Sequence, residues 1–594
     1  MSVAAYEKAR QPEPPTNDTP FTATVTDRRY KAPHSQRRSQ TAATITSSSQ
    51  RFSNFPMTSR TFQIQAITLI DELKSVCANY GLGNDGNEYR IITQVFLYKF
   101  LNDKFAHEVK RIDPKLAKAS SWEDALRKYK KADYEMLLMQ LGEGTAHLRP
   151  EHFLSTLYGR QNENDFAKTL DDTLLSIATL NADIFSVKTE DGEKVVLFDP
   201  ITEYVASKRN DFARAIINKV VNFSFERIFS EKFDFFATLF EYLIKDYNKD
   251  GGGKYAEYYT PHAVAKIMAS CLITKPLKNV ACYDPASGSG TLLMNLAHAI
   301  GEDRCSIFSQ DISQKSSSLL RLNLILNNLV HSIPQIIQGN TILHPFHRDE
   351  RGALRKFDCI VSNPPFKLDF SDFRDELDSK ANRERFFAGV PKVPNKDKDK
   401  MSIYLLFIQH IIHSLAKNGK AAVVVPTGFI TAQSGIEKAI RQHLVEHKML
   451  GGVISMPSNI FATTGTNVSI LFIDASNKGD VVLIDASNLG TKVKDGKNQK
   501  TLLSTAEEDQ IIRVFNKKEI VEDFSVVVSY DDIAEKNHSL SAGQYFDVKV
   551  EHVAITPKQF AKELAERKER LKGLFSESRK IEKELEKELG GLHL

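Results

Sequence analysis

The residues best suited to chemistry form a short motif, Asn363-Pro364-Pro365-Phe366, which ends a β-branched run. Its two prolines stiffen the backbone. The Asn363 amide oxygen and the Pro364 carbonyl oxygen can both accept from one exocyclic amino group, and the Phe366 ring offers a stacking face for a planar base. Two such acceptors favour a pyramidal nitrogen whose lone pair points at an electrophilic methyl group, so orientation and electrostatics would supply the catalysis. The plainer interpretation is an Asn-Pro turn.

A glycine-rich turn, DPASGSG at 284–290, lies between a short apolar run and the helical pattern TLLMNLAHAI. Glycines let the backbone turn sharply and approach a ligand closely. The turn is neither GxGxxG nor a P-loop, since no Gly-Lys-Ser/Thr follows. A turn with only a structural role could have the same composition. The candidate ligand-binding residues here are Asp284, Ala286, Ser287, Gly288, Ser289 and Gly290.

Two further polar residues stand at the ends of successive apolar runs. Asp311 lies about 20 residues after the glycines, where an acid can hold ribose hydroxyls. Asn340, in the segment GNTIL, is placed to pair with an adenine edge. Each residue alone would more often be a helix cap or a turn residue. Together with the glycine-rich turn, they predict a nucleoside ligand.

The elements that position these residues are short β-branched runs separated by helical patterns. This alternation predicts an α/β fold with a doubly wound, mostly parallel sheet. The last two runs, joined by a short loop, predict an antiparallel hairpin at one edge of the sheet. The seven runs cover 279–284, 305–311, 334–340, 357–363, 420–426, 451–457 and 467–474.

The flanking regions differ from this α/β pattern. Apolar residues at three- and four-residue spacing predict an all-helical domain before the Gly-rich break at 246–255. Residues 558–589 predict an amphipathic helix with coiled-coil character, which either docks on a partner or folds back on its own domain. The predicted divisions are a basic tail (1–56), a helical domain (57–245), a catalytic domain (246–545) and a C-terminal helix (546–594).

The composition is that of a globular protein, and its charge is confined to one segment. The 594 residues, at roughly 150 per domain, suggest three or four units. Residues 1–56 hold eight basic and four acidic residues, so the other 538 hold 71 of each sign and the whole net charge of +4 lies in the tail. The tail is rich in Ser, Thr and Pro and is predicted to be disordered, either as a passive segment or as an arm that touches phosphate. Met57 is a possible alternative start.

Cysteine content and hydropathy exclude several classes of protein. The five cysteines are scattered and show no CxxC spacing, which argues against a disulfide scaffold or a zinc site and predicts no metal. The sequence has no run of eighteen apolar residues, so it predicts no membrane-spanning helix. The N-terminus also lacks the apolar core of a secretion signal. The expected location is the cytoplasm.

The motifs DPASGSG, SQDIS and SNPPF, in this order, resemble those of class I, S-adenosylmethionine-dependent N6-adenine methyltransferases of the γ motif order. Just upstream, a segment resembles the family's YFTP box, which implies contacts with the methionine part of the cofactor; it comprises Glu257, Tyr258, Tyr259, Thr260, Pro261 and His262. With the helical N-terminal domain and the segment SLSAGQYFDV (539–548), the chain resembles the modification subunit of type I restriction-modification systems over residues 60–590.

The resemblance implies that a flipped adenine in double-stranded DNA enters beside Asn363 and receives a methyl group from S-adenosylmethionine. It also implies a specificity subunit shared by two modification subunits, which endonuclease subunits can join. The aromatic segment 367–400 is a candidate cover for the base. The C-terminal helix is the candidate contact with the specificity subunit.

Three positions depart from the family's usual residues. Ser287 replaces a cysteine, Asp311 replaces a glutamate, and Asn340 replaces an aspartate. The last change weakens the assignment to the adenine edge, because an amide both accepts and donates. Three other functions stay open: a stand-alone adenine DNA methyltransferase, a methyltransferase of protein glutamine or RNA, and a non-catalytic DNA-binding scaffold.

Overall fold

The computed structural model describes most of the chain after residue 56, in the ranges 57–83, 86–226, 229, 242, 260–461, 467–495, 498–546 and 556–590. The chain divides into two units, Met1–Ala66 and Ile67–Leu594. Within the first unit, the description covers only residues 57–66, the beginning of helix α1. The predicted basic tail lies outside the described residues, and the predicted domain boundaries stay predictions.

The region that precedes the catalytic motifs is mainly helical, as its apolar spacing predicted. In the seventh helix, for example, Phe166, Leu170, Leu174 and Ile177 are buried at three- and four-residue intervals and so form one apolar face. The helices are α1 Met57–Asn79, α2 Gly86–Ile112, α3 Pro114–Lys118, α4 Trp122–Arg127, α5 Lys131–Met139, α6 Leu154–Arg160, α7 Phe166–Leu180, α8 Ala182–Phe185 and α9 Arg209–Val220.

A short hairpin interrupts this helical region, so the prediction of an all-helical domain was incomplete. Strands β1 (Val187–Thr189) and β2 (Lys194–Val195) pair in antiparallel orientation. Both are too short and too polar to give an alternating apolar pattern, and their stability comes from tertiary pairing. Through β1 the hairpin joins the main sheet.

The predicted α/β fold is confirmed in the second half of the chain. The main sheet has eleven strands in the order β13-β10-β8-β9-β7-β6-β3-β4-β5-β1-β2, and β11 and β12 form a separate pair. The remaining strands are β3 Val280–Asp284, β4 Cys305–Asp311, β5 Ile336–Gln338, β6 Phe357–Ser362, β7 Leu415–Pro426, β8 Leu450–Ser455, β9 Val468–Asp474, β10 Val481–Asp485, β11 Thr491–Asp495, β12 Asn498–Leu502 and β13 Ser525–Val528.

The strand order reverses between β3 and β6. From β3 the chain adds β4 and β5 on one side, and then returns to add β6 and β7 on the other, all in parallel orientation. In open α/β sheets, ligands bind at such a switch point, beyond the carboxyl ends of the strands. The catalytic candidates follow β3, β4, β5 and β6 and therefore share this edge.

The predicted antiparallel pair is present, but it does not form the edge of the sheet. Strand β9 pairs in antiparallel orientation with both β7 and β8. Strand β10 then adds beside β8, and β13 adds beside β10. The run that forms β10, Val481–Ile484, is fully buried and so needs a covered position.

Helices cover the sheet and complete the core. They are α10 His262–Leu272, α11 Thr291–Ile300, α12 Gln314–Leu326, α13 Arg374–Leu377, α14 Tyr404–Ser414, α15 Thr427–Thr431, α16 Gly435–Glu446, α17 Thr505–Lys517, α18 Tyr530–Glu535 and α19 Pro557–Gly590. Helix α14 is buried over almost its whole length and packs in a cluster with residues of β3, β6 and β7. The first residues of α14 thus lie beneath the segment that follows Phe366.

The C-terminal helix is present as predicted and carries an exposed apolar face. Seven large apolar side chains are each at least 40% exposed, although burial is their usual state. They are Phe560, Leu564, Leu571, Leu574, Phe575, Ile581 and Leu585. Among the residues that the structure describes, no helix is long and apolar enough to cross a membrane.

The hairpin β1–β2 is fixed to the catalytic region by one buried arginine. Arg321, on α12, donates to the carbonyl oxygens of Val195 and Val196 at 3.0 and 2.8 Å. Burial lowers the pKa of Arg321 to about 10. The guanidinium therefore holds two backbone carbonyls at the end of the hairpin.

Replacing Arg321 with methionine is expected to lower the free energy of unfolding by about 2–4 kcal/mol, because two buried carbonyl groups lose their donors. Urea unfolding of the full chain measures this change. Arg383 is exposed, and Arg383→Met should change stability by no more than about 0.5 kcal/mol. Equal stability of the two variants would contradict the role given to Arg321.

Candidate active site

The glycine-rich turn leaves β3 and enters helix α11 through two residues with positive φ. Gly288 has a φ of 50° and Gly290 a φ of 83°, a region that favours glycine. A Cβ on Gly290 would also lie 2.3 Å from Cδ1 of Leu320. Glycine at this position therefore allows both the turn and the close packing of α12.

A buried carboxyl group joins this turn to the neighbouring strand. Oδ1 of Asp284 accepts from the backbone N–H of Ala286 and from the hydroxyl of Ser362, both at 2.9 Å. Burial, with a smaller contribution from Asp311, raises the pKa of Asp284 to about 7. Ser362 immediately precedes Asn363, so this contact sets the end of β6 against the end of β3.

Asp311, at the end of β4, braces the same turn. Its Oδ2 accepts from Gly288 N at 2.8 Å and its Oδ1 accepts from Ser313 N at 2.9 Å. Each carboxylate oxygen can accept more than one hydrogen bond. Asp311 can therefore hold a ribose diol while it keeps both backbone contacts.

Asn340, beyond the end of β5, is oriented by its own loop. Its Oδ1 accepts from Ile342 N and Leu343 N, both at 3.1 Å. The side-chain NH₂ group therefore points away from these amides and is the group left to meet a ligand. The neighbouring Thr341 donates to the carbonyl oxygen of Pro285 at 2.7 Å, which ties this loop to the glycine-rich turn.

Asn363 is oriented by a residue from the upstream box. Its Nδ2 donates to Oγ1 of the buried Thr260 at 3.3 Å. In this orientation the other end of the amide, Oδ1, is available as an acceptor. Thr260 was predicted as a cofactor contact, and the structure gives it a contact with the catalytic candidate.

The remaining motif residues surround this amide. Pro364 is buried, whereas Asn363, Pro365 and Phe366 are half-buried. The Phe366 ring packs edge-on against Tyr404, with the centroids 6.2 Å apart. Phe366 is thus held from one side by helix α14.

The segment 367–400 differs from the aromatic cover that the sequence suggested. Phe370 and Phe386 are almost fully buried in a cluster with Leu377 and Met401, and Phe387 stacks on His443. Phe370 and Phe386 thus form a small core, and Phe387 packs on helix α16. The sequence suggested that these rings cover a base because they lie near Phe366 in the chain. Sequence alone does not show which residues bury a ring.

The upstream box is only partly within the described residues. Thr260 and Pro261 are buried, and His262 is the first residue of helix α10. Glu257, Tyr258 and Tyr259 lie outside the described residues, so their predicted contact with the cofactor stays a prediction. The sequence interpretation missed Ser362 and Thr341, although both adjoin predicted site residues.

The chain matches the sequence profile of the family described as N-6 DNA Methylase over residues 231–553, more than half of its length. The chain belongs to this N-6 DNA methylase family. The matched region includes the glycine-rich turn, Asp311, Asn340 and the motif at Asn363. The edge of the sheet where these residues meet therefore lies within the family's domain.

Two curated relatives of this chain come from a bacterium and an archaeon. The chain is 27% identical over 349 residues to the type I restriction enzyme MpnII methylase subunit of Mycoplasma pneumoniae, covering 58% of this chain and 62% of the relative. It is 26% identical over 394 residues to the MjaIX methylase subunit of Methanocaldococcus jannaschii, covering 64% and 66%. The matches thus span slightly less than two thirds of either relative.

A solved structure shares the fold of this chain. The type I restriction-modification methyltransferase subunit from Streptococcus thermophilus aligns with a TM-score of 0.66 and 23% identity, covering 82% of this chain and all of that one. The mostly parallel sheet is typical of class I methyltransferases, and a helical region precedes it in this chain. The family and fold together imply S-adenosylmethionine as the methyl donor.

The glycine-rich turn of this chain fits such a cofactor. The turn allows a close backbone approach at Gly288 and Gly290, and the carboxylate of Asp311 at the end of β4 lies against it. The Ser287 hydroxyl is buried and has no hydrogen-bond partner within the described part of the chain, so a polar ligand group can use it. No cluster of three or more metal-ligating side chains occurs among the described residues.

The raised pKa of Asp284 predicts a pH-dependent stability. The folded chain keeps the Asp284 proton at pH values where the unfolded chain has lost it, so this group's contribution is complete below about pH 4 and is lost as the pH rises through about 7. Asparagine keeps an Oδ1 that can accept both hydrogen bonds. Relative to Asp284→Asn, the wild-type protein should lose on the order of 2–4 kcal/mol of stability between pH 5 and pH 8.

Urea unfolding without cofactor at these two pH values measures the difference. Asp375 has a 97% exposed side chain, and Asp375→Asn controls for the removal of one negative charge. A stability difference between wild type and Asp284→Asn that is constant from pH 5 to pH 8 would show that Asp284 is ionised throughout.

Proposed function

We propose that this protein transfers the methyl group of S-adenosylmethionine to the N6 amino group of adenine in double-stranded DNA, as the modification subunit of a type I restriction-modification complex. The observation that carries the proposal is the orientation of the Asn363 amide by Thr260. The names of the curated relatives support the type I assignment. Such an enzyme would act in the cytoplasm, where the DNA is.

The cofactor site is formed by the turn 284–290 with Asp311 and Asn340. Asp311 would accept from the ribose hydroxyls, and the Asn340 NH₂ group would donate to a ring nitrogen of adenine. The backbone of Ser287 to Gly290 would line the rest of the site, together with the box at 257–262. When bound, S-adenosylmethionine supplies an electrophilic methyl group.

The target base is held by the motif Asn363 to Phe366. Oδ1 of Asn363 and the carbonyl oxygen of Pro364 would accept from the N6 amino group and orient its lone pair. These two acceptors stabilise the positive charge that develops on nitrogen during transfer. The Phe366 ring would stack on the flipped base, which partly offsets the cost of extrusion, about a few kcal/mol.

Removing the acceptor is expected to abolish methyl transfer. Asn363→Ala should lower kcat by at least about 100-fold, because a preorganised acceptor is lost, while the affinity for S-adenosylhomocysteine changes little. Thr260→Val should lower kcat by a smaller factor, about tenfold, because the amide of Asn363 loses the partner that orients it. The measurement is transfer of tritiated methyl groups to unmethylated DNA in the presence of the cognate specificity subunit.

The substrate of the reaction decides between the alternatives. Transfer without the specificity subunit would indicate a stand-alone DNA methyltransferase, and transfer only to protein or RNA would overturn the DNA assignment. Thr260→Ser, which keeps the hydroxyl, is the matched control and should retain most activity. Binding of DNA with no transfer to any substrate would indicate the scaffold alternative.

The proposed partners are a specificity subunit, bridging two copies of this chain, and endonuclease subunits. The exposed apolar face of α19 supports the first contact. Five of its side chains are spaced for a coiled coil and are each 40–60% exposed: Leu564, Leu571, Leu574, Ile581 and Leu585. Apolar rows at this spacing pack against other helices.

Charged residues on this face are expected to prevent assembly. Leu571→Glu combined with Leu574→Glu should weaken binding of the specificity subunit by at least about 100-fold, since two apolar contacts are replaced by buried charges. Size-exclusion chromatography of the co-expressed subunits measures complex formation. Binding of S-adenosylhomocysteine should not change.

The control places the same charge elsewhere on the helix. Arg570 is exposed and lies outside the predicted apolar seam, so Arg570→Glu should leave the complex intact. A double variant that still forms the complex would show that the specificity subunit binds another surface.

A further inference from the structure

We infer that Glu190, in the N-terminal hairpin, is a cofactor-binding residue that accepts a hydrogen bond from the exocyclic amino group of the cofactor's adenine. This inference rests on the proposed function, because it assumes that S-adenosylmethionine occupies the edge of the sheet. It adds to the site a residue from outside the region that matches the family.

The hairpin brings Glu190 to the cofactor edge of the sheet. Strand β1 pairs in parallel with β5, with Lys188 beside Ile337 and Thr189 beside Gln338. The carboxyl end of β1 therefore lies at the same edge as those of β3, β4 and β5. Glu190 is the first residue beyond β1, a position similar to that of Asp311, which is the last residue of β4.

Close contacts fix Glu190 against Asn340. The backbone N–H of Glu190 donates to Gln338 O at 2.9 Å, and Oε2 of its side chain accepts from Asn340 N at 2.6 Å. A Cβ on Gly339 would lie 2.3 Å from this Oε2 and 2.7 Å from the Cβ of Glu190. The absence of a side chain at Gly339 is what lets the carboxylate reach this position.

The chemistry of the adenine edge requires an acceptor that Asn340 does not provide. The Oδ1 of Asn340 is occupied by two backbone amides, so this side chain presents a donor. Adenine offers a ring nitrogen that accepts and an amino group that donates. The Asn340 NH₂ group suits the ring nitrogen, and the amino group needs a separate acceptor nearby.

Glu190 provides this acceptor. Its Oε2 is bound to the Asn340 backbone, whereas Oε1 has no hydrogen-bond partner within the described part of the chain. The donor on Asn340 and the acceptor on Glu190 therefore lie side by side, which matches the acceptor and donor of an adenine edge. A glutamate at this place restores the negative acceptor that is absent from Asn340.

The competing interpretation is that Glu190 only clamps the backbone of Asn340. The two interpretations differ in base selectivity. In the analogue of S-adenosylhomocysteine that carries purine in place of adenine, a hydrogen replaces the amino group and the ring nitrogens still accept, so only the donor that Glu190 would bind is lost. A residue that only clamps the loop would affect this compound and S-adenosylhomocysteine equally.

The test measures binding of both compounds to the full-length protein by calorimetry. The wild-type protein should bind the adenosyl compound at least about tenfold more tightly, because only that compound makes a hydrogen bond to the charged Glu190 carboxylate. Glu190→Gln can still accept from Asn340 N through its amide oxygen, which turns its NH₂ group toward the base. The preference for the adenosyl compound should therefore fall by about tenfold or more.

Two further variants complete the design. Glu193 is exposed on the same hairpin, and Glu193→Gln should keep the wild-type selectivity. Gly339→Ala displaces the Glu190 side chain without changing it and should also reduce the preference, so the inference stays testable if Glu190→Gln does not fold. Thermal unfolding of each variant checks its folding.

The outcomes separate this inference from the proposed function. Equal weakening of both compounds by Glu190→Gln, or no change in selectivity, would overturn the role of Glu190 while the cofactor assignment stands. If the wild-type protein binds neither compound, the proposed function and this inference both fail.

Discussion

The hydrogen bond from the Ser362 hydroxyl to Oδ1 of Asp284 is the contact on which the site depends. It joins the ends of β3 and β6 at the point where the strand order reverses. On one side of it the chain forms the glycine-rich turn, and on the other it forms the motif at Asn363. Because both groups are buried, the bond is shielded from water and holds the two segments in one relative position. The distance between the glycine-rich turn and the motif at Asn363 is set here.

Strand β1 of the N-terminal region pairs with β5 and so joins this region to the main sheet. A parallel strand at the outer side of β5 extends the cofactor edge, and Arg321 holds the other strand of the hairpin by its backbone carbonyls. The hairpin is therefore held both by strand pairing and by a buried cation. Two anchors of different chemistry restrict its movement relative to β5 more than either would alone. This rigidity is what allows a side chain on the hairpin to contribute to a precise ligand geometry.

Sequence reasoning located the catalytic strands and their polar ends because each strand is a buried, β-branched run followed by a distinctive residue. The same reasoning placed the glycine-rich turn, Asp311 and Asn363 on one edge. It did not find β1, because Val187–Thr189 has no apolar alternation and pairs with a strand almost 150 residues away in sequence. It also assigned Phe370 and Phe386 to a cover, since burial by residues distant in sequence leaves no local pattern. Contacts between segments distant in sequence determine where β1 pairs and which rings are buried, and local periodicity does not show such contacts.

The charge of the chain bears on how such a site could engage DNA. Residues 57–594 carry equal numbers of acidic and basic residues, whereas phosphate contacts supply most of the affinity of DNA-binding proteins. A body without net charge would bind DNA weakly by itself. The exposed apolar face of α19 offers a way to recruit a partner, and a partner that holds the phosphates would raise the local concentration of DNA at the site. Separate subunits for chemistry and for DNA affinity are therefore consistent with both the neutral charge and the uncovered helix.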